Sequence, residues 1–144
     1  MVSSYMKLSK KGLPNVLVSE ERTTFLLPEI ISGDLGGTIL VPGIYKTSST
    51  LFIKSGDLTL DALGDANAVW IFKTDFDLIT IGGTGGNIVI TGGAKPDNIF
   101  WQIGNSATIG EGTSFVGNIS ARKSITLNHG ARVMGRMSAR DFSG

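Results

Sequence analysis

Three aspartates at intervals of four residues, Asp57, Asp61 and Asp65, are the residues whose spacing most resembles a chemical site. Carboxylates grouped in this way could bind calcium or act as an acid and a base, as in some pectin-cleaving β-helices. All three, however, fall at or near predicted turns, where Asp is favoured because its side chain hydrogen-bonds to the local backbone. The single histidine, His129, has no serine or carboxylate at a spacing that would indicate a catalytic triad. We therefore predict that the protein is not an enzyme and uses no metal or other cofactor.

Two further patterns that are typical of ligand sites are weaker. The glycine-rich run 82–86 lacks the lysine and the following helix of a phosphate-binding loop. The aromatic residues near positions 70 and 100 could form a platform on which sugars stack. Alternation along a strand, however, puts Trp70 and Phe72 on one shared face. It also turns one of the adjacent Phe100 and Trp101 inward, so core packing could explain most of these rings.

The composition indicates one β-rich domain rather than a helix bundle or a disordered chain. Glycine is the commonest of the 144 residues, at 20, and only 17% are charged, which suits many short strands joined by turns. The absence of cysteine excludes disulfides and Cys-based zinc sites. A net charge of +1 gives no general attraction to nucleic acid or to an anionic membrane. No run approaches the roughly 20 apolar residues of a membrane span, and no signal peptide is visible.

Segments 107–121 and 125–139 repeat each other at a spacing of 18 residues, with glycine, threonine, serine and alanine at matching positions. A fixed period with glycines at fixed offsets is typical of a chain that winds in coils and stacks them. Eighteen residues are enough for a triangular coil of three short strands and three corners. The repeat therefore predicts a β-solenoid that displays its side chains in straight columns.

A longer repeat of thirty residues lies upstream. Residues 57–60 align with 87–90, and 69–72 align with 99–102 at the same offset. We interpret these units as coils with longer corners. Each strand should pair with the strand of the next coil at about 4.8 Å, which gives parallel sheets buried on the inside.

The first 31 residues differ in texture from the rest and are predicted to be an N-terminal extension or cap. The run Ser19-Glu20-Glu21-Arg22 is typical of a helix N-cap followed by an acidic first turn, and it predicts a short helix near 19–27. The β-solenoid domain should occupy residues 32–144. The predicted fold class is thus all-β: a triangular parallel β-helix preceded by a short helix or irregular segment.

Six motifs stand in order along the solenoid part: DLGGTILVPGIYK (34–46), LTLDALGDANAVWIF (58–72), NIFWQIGNSAT (98–108), GTSFVG (112–117), SITLN (124–128) and GRMSAR (135–140). Together they resemble the DUF3494 ice-binding protein family from about Ser32 to Arg140. The resemblance implies a right-handed, discontinuous β-helix with an α-helix along one side. It also implies adsorption to ice through a flat outer face, and secretion from a cold-adapted microbe.

Within that family a T-A/G-x-T/N quartet often recurs at one corner and strand of each coil. Threonine suits such a surface because its methyl group restrains water, its hydroxyl anchors water and its β-branching fixes the rotamer. This chain matches the quartet unevenly, as TGGN at 84–87, EGTS at 111–114 and HGAR at 129–132. The predicted ice-binding residues are Thr84, Asn87, Thr113 and Ser114, with Thr108 and Thr126 as a second possible column.

Charged side chains leave a second function open. His129 and Arg132 oppose an ordered flat layer because large charged groups are mobile and strongly hydrated. The alternative is a structural or adhesive solenoid of the same fold without ice activity. Arg122 and Arg140, eighteen residues apart, could bind an anionic polysaccharide or a phosphate-rich surface. They could equally form a solvated edge that protects the last strands from edge pairing.

Compared with the family, the chain departs at both ends. The usual N-terminal β-helical portion and long Ala-rich helix do not precede the 34–46 motif, and the usual closing strand does not follow the 135–140 motif. We expect an end coil with unpaired backbone groups, covered either by the N-terminal residues or by a second copy in a homo-oligomer. The ice surface is the predicted partner, and neither nucleic acid nor a membrane is expected.

Overall fold

The computed structural model describes residues 27–83 and 85–140. The helix predicted near 19–27 lies outside them, apart from Leu27. Within the described residues the strands are β1 (Glu29–Ile30), β2 (Ile39–Leu40), β3 (Gly43–Thr47), β4 (Leu51–Ile53), β5 (Leu58–Asp61), β6 (Trp70–Thr74), β7 (Leu78–Thr80), β8 (Ile88–Thr91), β9 (Ile99–Ile103), β10 (Ala107–Ile109), β11 (Ser114–Val116), β12 (Asn118–Ala121), β13 (Ile125–Leu127), β14 (Arg132–Met134) and β15 (Met137–Ala139), and a 3₁₀ turn spans Pro96–Asn98. Because β1 precedes Ser32, sheet structure begins inside the predicted extension, and the division of the chain into two parts stays a prediction.

These strands form three faces. Face A is one sheet of six strands, β1, β3, β6, β9, β12 and β15. Face B is one sheet of four strands, β4, β7, β10 and β13, whereas face C is split into a sheet of β2, β5 and β8 and a sheet of β11 and β14. The chain visits A, B and C in turn, and the paired strands run parallel. The predicted all-β solenoid with three strands per coil is confirmed.

A column of stacked aromatic rings fills the interior behind face A. The ring centroids of Tyr45 and Phe72 lie 5.5 Å apart, and those of Phe72 and Trp101 lie 4.0 Å apart. Trp70, Phe72 and Trp101 are fully buried, and Phe100 is 37% exposed. The predicted alternation is therefore confirmed, and core packing explains all of these rings except Phe100.

Strand register follows the corner lengths. The 18-residue offset is confirmed on all three faces, and the thirty-residue offset is confirmed on face C. On face A the thirty-residue offset is wrong by one, since Trp70 pairs with Ile99. The corner 92–98 is one residue shorter than the corner 62–69. A slip of one residue would have turned Trp101 out of the core, because successive side chains on a strand point to opposite faces.

Asp34 fastens the first coil to the second. Its carboxylate accepts hydrogen bonds from the backbone N–H groups of Gly36, at 2.8 Å, and Lys54, at 3.1 Å. Burial by itself would raise the pKa of Asp34, but hydrogen bonds from the Ser55 side chain and from the backbone of Gly36, Lys54 and Ser55 outweigh burial and lower the pKa. The side chain therefore remains an ionised acceptor in the folded protein at neutral pH.

Candidate functional site

The described residues of the predicted quartets lie over one another where face B turns into face C, and Ser114 and Arg132 are the first residues of face C strands. We call this turn the B–C corner (residues 54–57, 81–83, 85–87, 110–113 and 128–131). The N–H of Gly83 donates to the carbonyl of Glu111 at 3.1 Å, and the N–H of Gly112 donates to the carbonyl of His129 at 3.0 Å. Thr84 lies outside the described residues. The repeat thus stacks as the sequence indicates, but it stacks at a corner rather than on a flat face.

Polar groups of this corner bind other coils. Thr113 has 0% exposure, and the Thr80 hydroxyl donates to the Thr113 hydroxyl at 3.2 Å. The Asn87 side-chain N–H donates to Asp57 Oδ1 at 3.1 Å, and its Oδ1 accepts from the N–H of Ser114 at 2.8 Å. Contrary to the prediction of an outer face, the structure places Thr113 in the interior and makes Asn87 a bridge between three coils. Ser114 is exposed.

Face B carries the second predicted column. Its four strands pair in register, and the outward side chain at the middle of each is aligned with the next: Phe52 with Ile79, Ile79 with Thr108, and Thr108 with Thr126. Neighbouring strands in a sheet lie about 4.8 Å apart, so these four uncharged side chains form a straight line along the solenoid. At its first end the Lys54 ammonium lies over the Phe52 ring, 4.4 Å from the ring centroid. Thr108 is held between Ala107 and Ile109, both with 0% exposure.

A series of hydrogen bonds between coils runs along one edge of face B, and the sequence prediction missed it. The Ser124 hydroxyl donates to the Ser106 hydroxyl at 3.0 Å. One coil earlier, Asp77 Oδ1 accepts from Asn105 Nδ2 at 2.7 Å and from the Ser106 N–H at 3.0 Å. Ser106 and Ser124 are eighteen residues apart, so the same repeat could have identified them. These bonds tie three coils together directly beside the threonine column.

Faces A and C lack this combination of a continuous sheet and an uncharged central column. The outward column of face A includes Lys46 and Lys73, which are register partners on adjacent strands. Face C is split into two sheets, and in its second sheet Ser114 is paired with Arg132. Among the described strands, face B is the face that combines one continuous sheet with an uncharged central column.

A family model described as ice-binding-like matches residues 14–142. The chain belongs to this family. An ice-binding protein of Nostoc sp. (strain HG1) is 49% identical over 100 residues, which are 69% of this chain and 36% of the relative. Ice-binding protein 1 of Shewanella frigidimarina (strain NCIMB 400) is 40% identical over 106 residues, which are 74% of this chain and 12% of the relative. The resemblance noted in the sequence is confirmed.

Solved structures of ice-binding proteins share the fold. One from an Antarctic biological consortium superposes with a TM-score of 0.76 at 41% identity, over 84% of this ice-binding-like chain and 53% of the other. The DUF3494 domain of Shewanella frigidimarina ice-binding protein 1 gives 0.73 at 30% identity, over 83% and 53%. The chain spans about a third of the length of the Nostoc relative and about half of each of these structures.

The ice-binding-like family is non-enzymatic, as predicted. In the part of the chain that the structure describes, no three His, Asp or Glu side chains form a group that could hold a metal ion. Asp61 accepts from the N–H of Leu63 at 2.9 Å, and Asp65 accepts from the N–H of Asn67 at 2.8 Å. These two carboxylates therefore accept local backbone hydrogen bonds at turns or next to them, as their positions indicated. The described residues also contain no helix that is long and apolar enough to cross a membrane.

Proposed function

We propose that this protein adsorbs to ice through face B, and that it acts as an antifreeze and as an inhibitor of ice recrystallisation. The curated relatives and the solved structures with this fold are ice-binding proteins. The observation that carries the choice of face is the line of uncharged side chains formed by Ile79, Thr108 and Thr126 on one continuous sheet. Thr84, Asn87, Thr113 and Ser114 are not part of this proposed surface.

Adsorption to ice needs a rigid, flat surface more than it needs a reactive group. The strand pairing sets the spacing between coils at about 4.8 Å, which lies near an ice repeat. Thr108 and Thr126 add methyl groups that restrain water and hydroxyls that anchor it, and β-branching limits their rotamers. Because the neighbours of Thr108 on its strand are fully buried, its side chain is held at a defined height above the sheet.

We also propose that the protein works outside the cell, since ice-binding proteins are typically secreted. The homo-oligomer remains a proposal, supported by the last coil, where Met134 is 61% and Met137 is 46% exposed. Size-exclusion chromatography with light scattering tests the oligomeric state, and a monomer at all concentrations would contradict the proposal.

Substitution by a bulky side chain tests the choice of face. Thr108→Tyr and Thr126→Tyr place a ring on face B. Thr59→Tyr is the matched control, because Thr59 is an outward, half-buried residue at a strand position on face C. We expect each face B variant to need about tenfold more protein to inhibit ice recrystallisation, which corresponds to ~1.4 kcal/mol of adsorption free energy. The control should behave like the wild type.

Circular dichroism melts must show that all three variants are folded. Absence of inhibition by the wild-type protein at micromolar concentration would refute ice binding altogether. Loss of inhibition in Thr59→Tyr alone would instead move the adsorbing surface to face C.

A further inference from the structure

A groove runs along the corner where face A turns into face B. Its cavity volume is about 480 Å³, within the range of binding sites for small molecules. The side chains that characterise it are polar or cationic: Lys46, Lys73, Gln102, Ser120, Arg122 and Arg140. We call this feature the corner groove.

The cations of the corner groove follow the axis of the solenoid. Lys46 and Lys73 are register partners on neighbouring strands. Arg122 and Arg140 occupy one position on two successive coils, since the N–H of Arg122 donates to Ile103 and the N–H of Arg140 donates to Ala121, each at 3.1 Å. The four cations therefore span four steps of about 4.8 Å, or ~19 Å in all.

A glycine lines the middle of the corner groove, between the two pairs of cations. A Cβ on Gly104 would lie 2.5 Å from the carbonyl oxygen of Asp75, so the packing of the coils requires glycine there. Beside Gly104, Gln102 and Ser120 are register partners and are both exposed. The floor between the two pairs of cations thus offers an amide and a hydroxyl for hydrogen bonds.

The charge of the corner groove favours an extended anion. Asp75 is its only carboxylate against four cationic side chains. The planar guanidinium groups of Arg122 and Arg140 suit bidentate pairing with carboxylates, and the two lysines add compact charges. A ligand that satisfies both ends and the polar floor must be linear, must repeat its negative charge, and must carry hydroxyl groups between the charges.

We propose that the corner groove binds a linear anionic polysaccharide that carries carboxylates. Nucleic acid is less suitable, because binding of single strands relies on aromatic side chains for base stacking and the residues that line the groove include none. This site is separate from the proposed ice-binding surface, since neither Thr108 nor Thr126 lines it.

A charge-matched pair of variants tests the site in the 144-residue chain. Lys73→Ala/Arg122→Ala removes one lysine and one arginine from the groove. Lys95→Ala/Arg132→Ala removes the same charges from exposed positions outside it. Binding of a fluorescein-labelled oligogalacturonate is followed by fluorescence anisotropy. We expect the groove variant to bind at least about tenfold more weakly than the wild type and the control to stay within about twofold, because exposed charges outside the groove add little.

Competition and salt complete the experiment. Unlabelled polygalacturonate should displace the probe, neutral dextran should not, and added salt should weaken binding because charge pairs are screened. Equal losses in the two double variants would overturn the proposal, since they would indicate general charge attraction. Absence of binding to the wild type at millimolar sugar, or tighter binding to a single-stranded oligonucleotide than to the oligogalacturonate, would overturn it as well.

Discussion

Face B and the B–C corner repeat with the same period but use their repeated residues for opposite purposes. At the corner, Thr113 is buried and Asn87 links three coils through its side chain. On face B, Thr108 and Thr126 project outward from the middle of paired strands. A corner residue recurs because the turn or the packing of coils requires it. An outward residue in the middle of a strand has no such structural role and is available for contact with an external surface.

Glycines at the corner illustrate this constraint. Gly112 and Gly130 have φ values of +70° and +76°, a region that residues with a side chain rarely adopt. Gly110 meets a different requirement, because the carbonyl oxygen of Thr80 lies 2.4 Å from the place where its Cβ would be. The regular glycine pattern in the sequence therefore reports turns and close packing of coils.

The largest effect on stability should come from adding a side chain where two coils pack closely at the corner. In Gly110→Ala the new methyl group meets the backbone at Thr80, Ile81 and Gly82, and neither coil can move without disturbing its sheet. We expect the free energy of unfolding to fall by about 3 kcal/mol or more. Thermal denaturation followed by circular dichroism measures the change.

Gly112→Ala is the matched control two residues away. Nothing lies within 4 Å of its added Cβ, so the cost is that of the positive φ alone, about 1–2 kcal/mol. If Gly110→Ala were no more destabilising than Gly112→Ala, the close approach of coils at this corner would not constrain the fold.

A smaller effect separates the buried threonine from the outward one. Thr113→Val keeps the side-chain shape but removes the acceptor of the Thr80 hydroxyl inside the protein. We expect unfolding to become easier by about 1–3 kcal/mol, with unchanged inhibition of ice recrystallisation at temperatures where the variant is folded. Thr108→Val should do the reverse: a stability change within about 0.5 kcal/mol and weaker inhibition. Melting curves and recrystallisation assays on both variants decide the matter, and loss of inhibition in Thr113→Val alone would return the site to the corner.

Much of the fold could be predicted because its rules act between residues at short, fixed spacings. The 18-residue repeat gave the coil length and the register of the last coils correctly, since alternation along each strand fixes which side chains enter the core. The longer coils were harder. The corner 92–98 is one residue shorter than the corner 62–69, and a loop can lose a residue without leaving any periodic signal.

The site was harder to predict because exposure depends on residues distant in sequence. Thr113 resembles a surface threonine until Thr80, 33 residues earlier, is known to face it across the corner. Asn87 likewise resembles a ligand-binding amide until its side-chain N–H is seen to donate a hydrogen bond to Asp57, thirty residues earlier. Thr108 and Thr126 were selected from the repeat itself, and their outward direction follows from the inward apolar residues on either side.

The smallest expected effect tests whether His129 and Arg132, in the quartet 129–132, influence adsorption to ice. His129→Thr/Arg132→Thr restores hydroxyl side chains to the quartet at which this chain departs most from the family pattern. Both residues are exposed, so stability should change by no more than about 0.5 kcal/mol. If face B is the adsorbing surface, inhibition of ice recrystallisation should remain within about twofold of the wild type, or within ~0.4 kcal/mol of adsorption free energy.

A clear gain of inhibition in this variant would show instead that the B–C corner touches ice and that His129 and Arg132 hold it away. The result is informative only beside Thr126→Tyr, whose residue lies on the same last coil but on face B. A loss in Thr126→Tyr together with no change in His129→Thr/Arg132→Thr would locate adsorption on one side of a single coil. That pairing separates the two regions more sharply than either variant does alone, because the coil, its strand pairing and its distance from the chain end are the same in both.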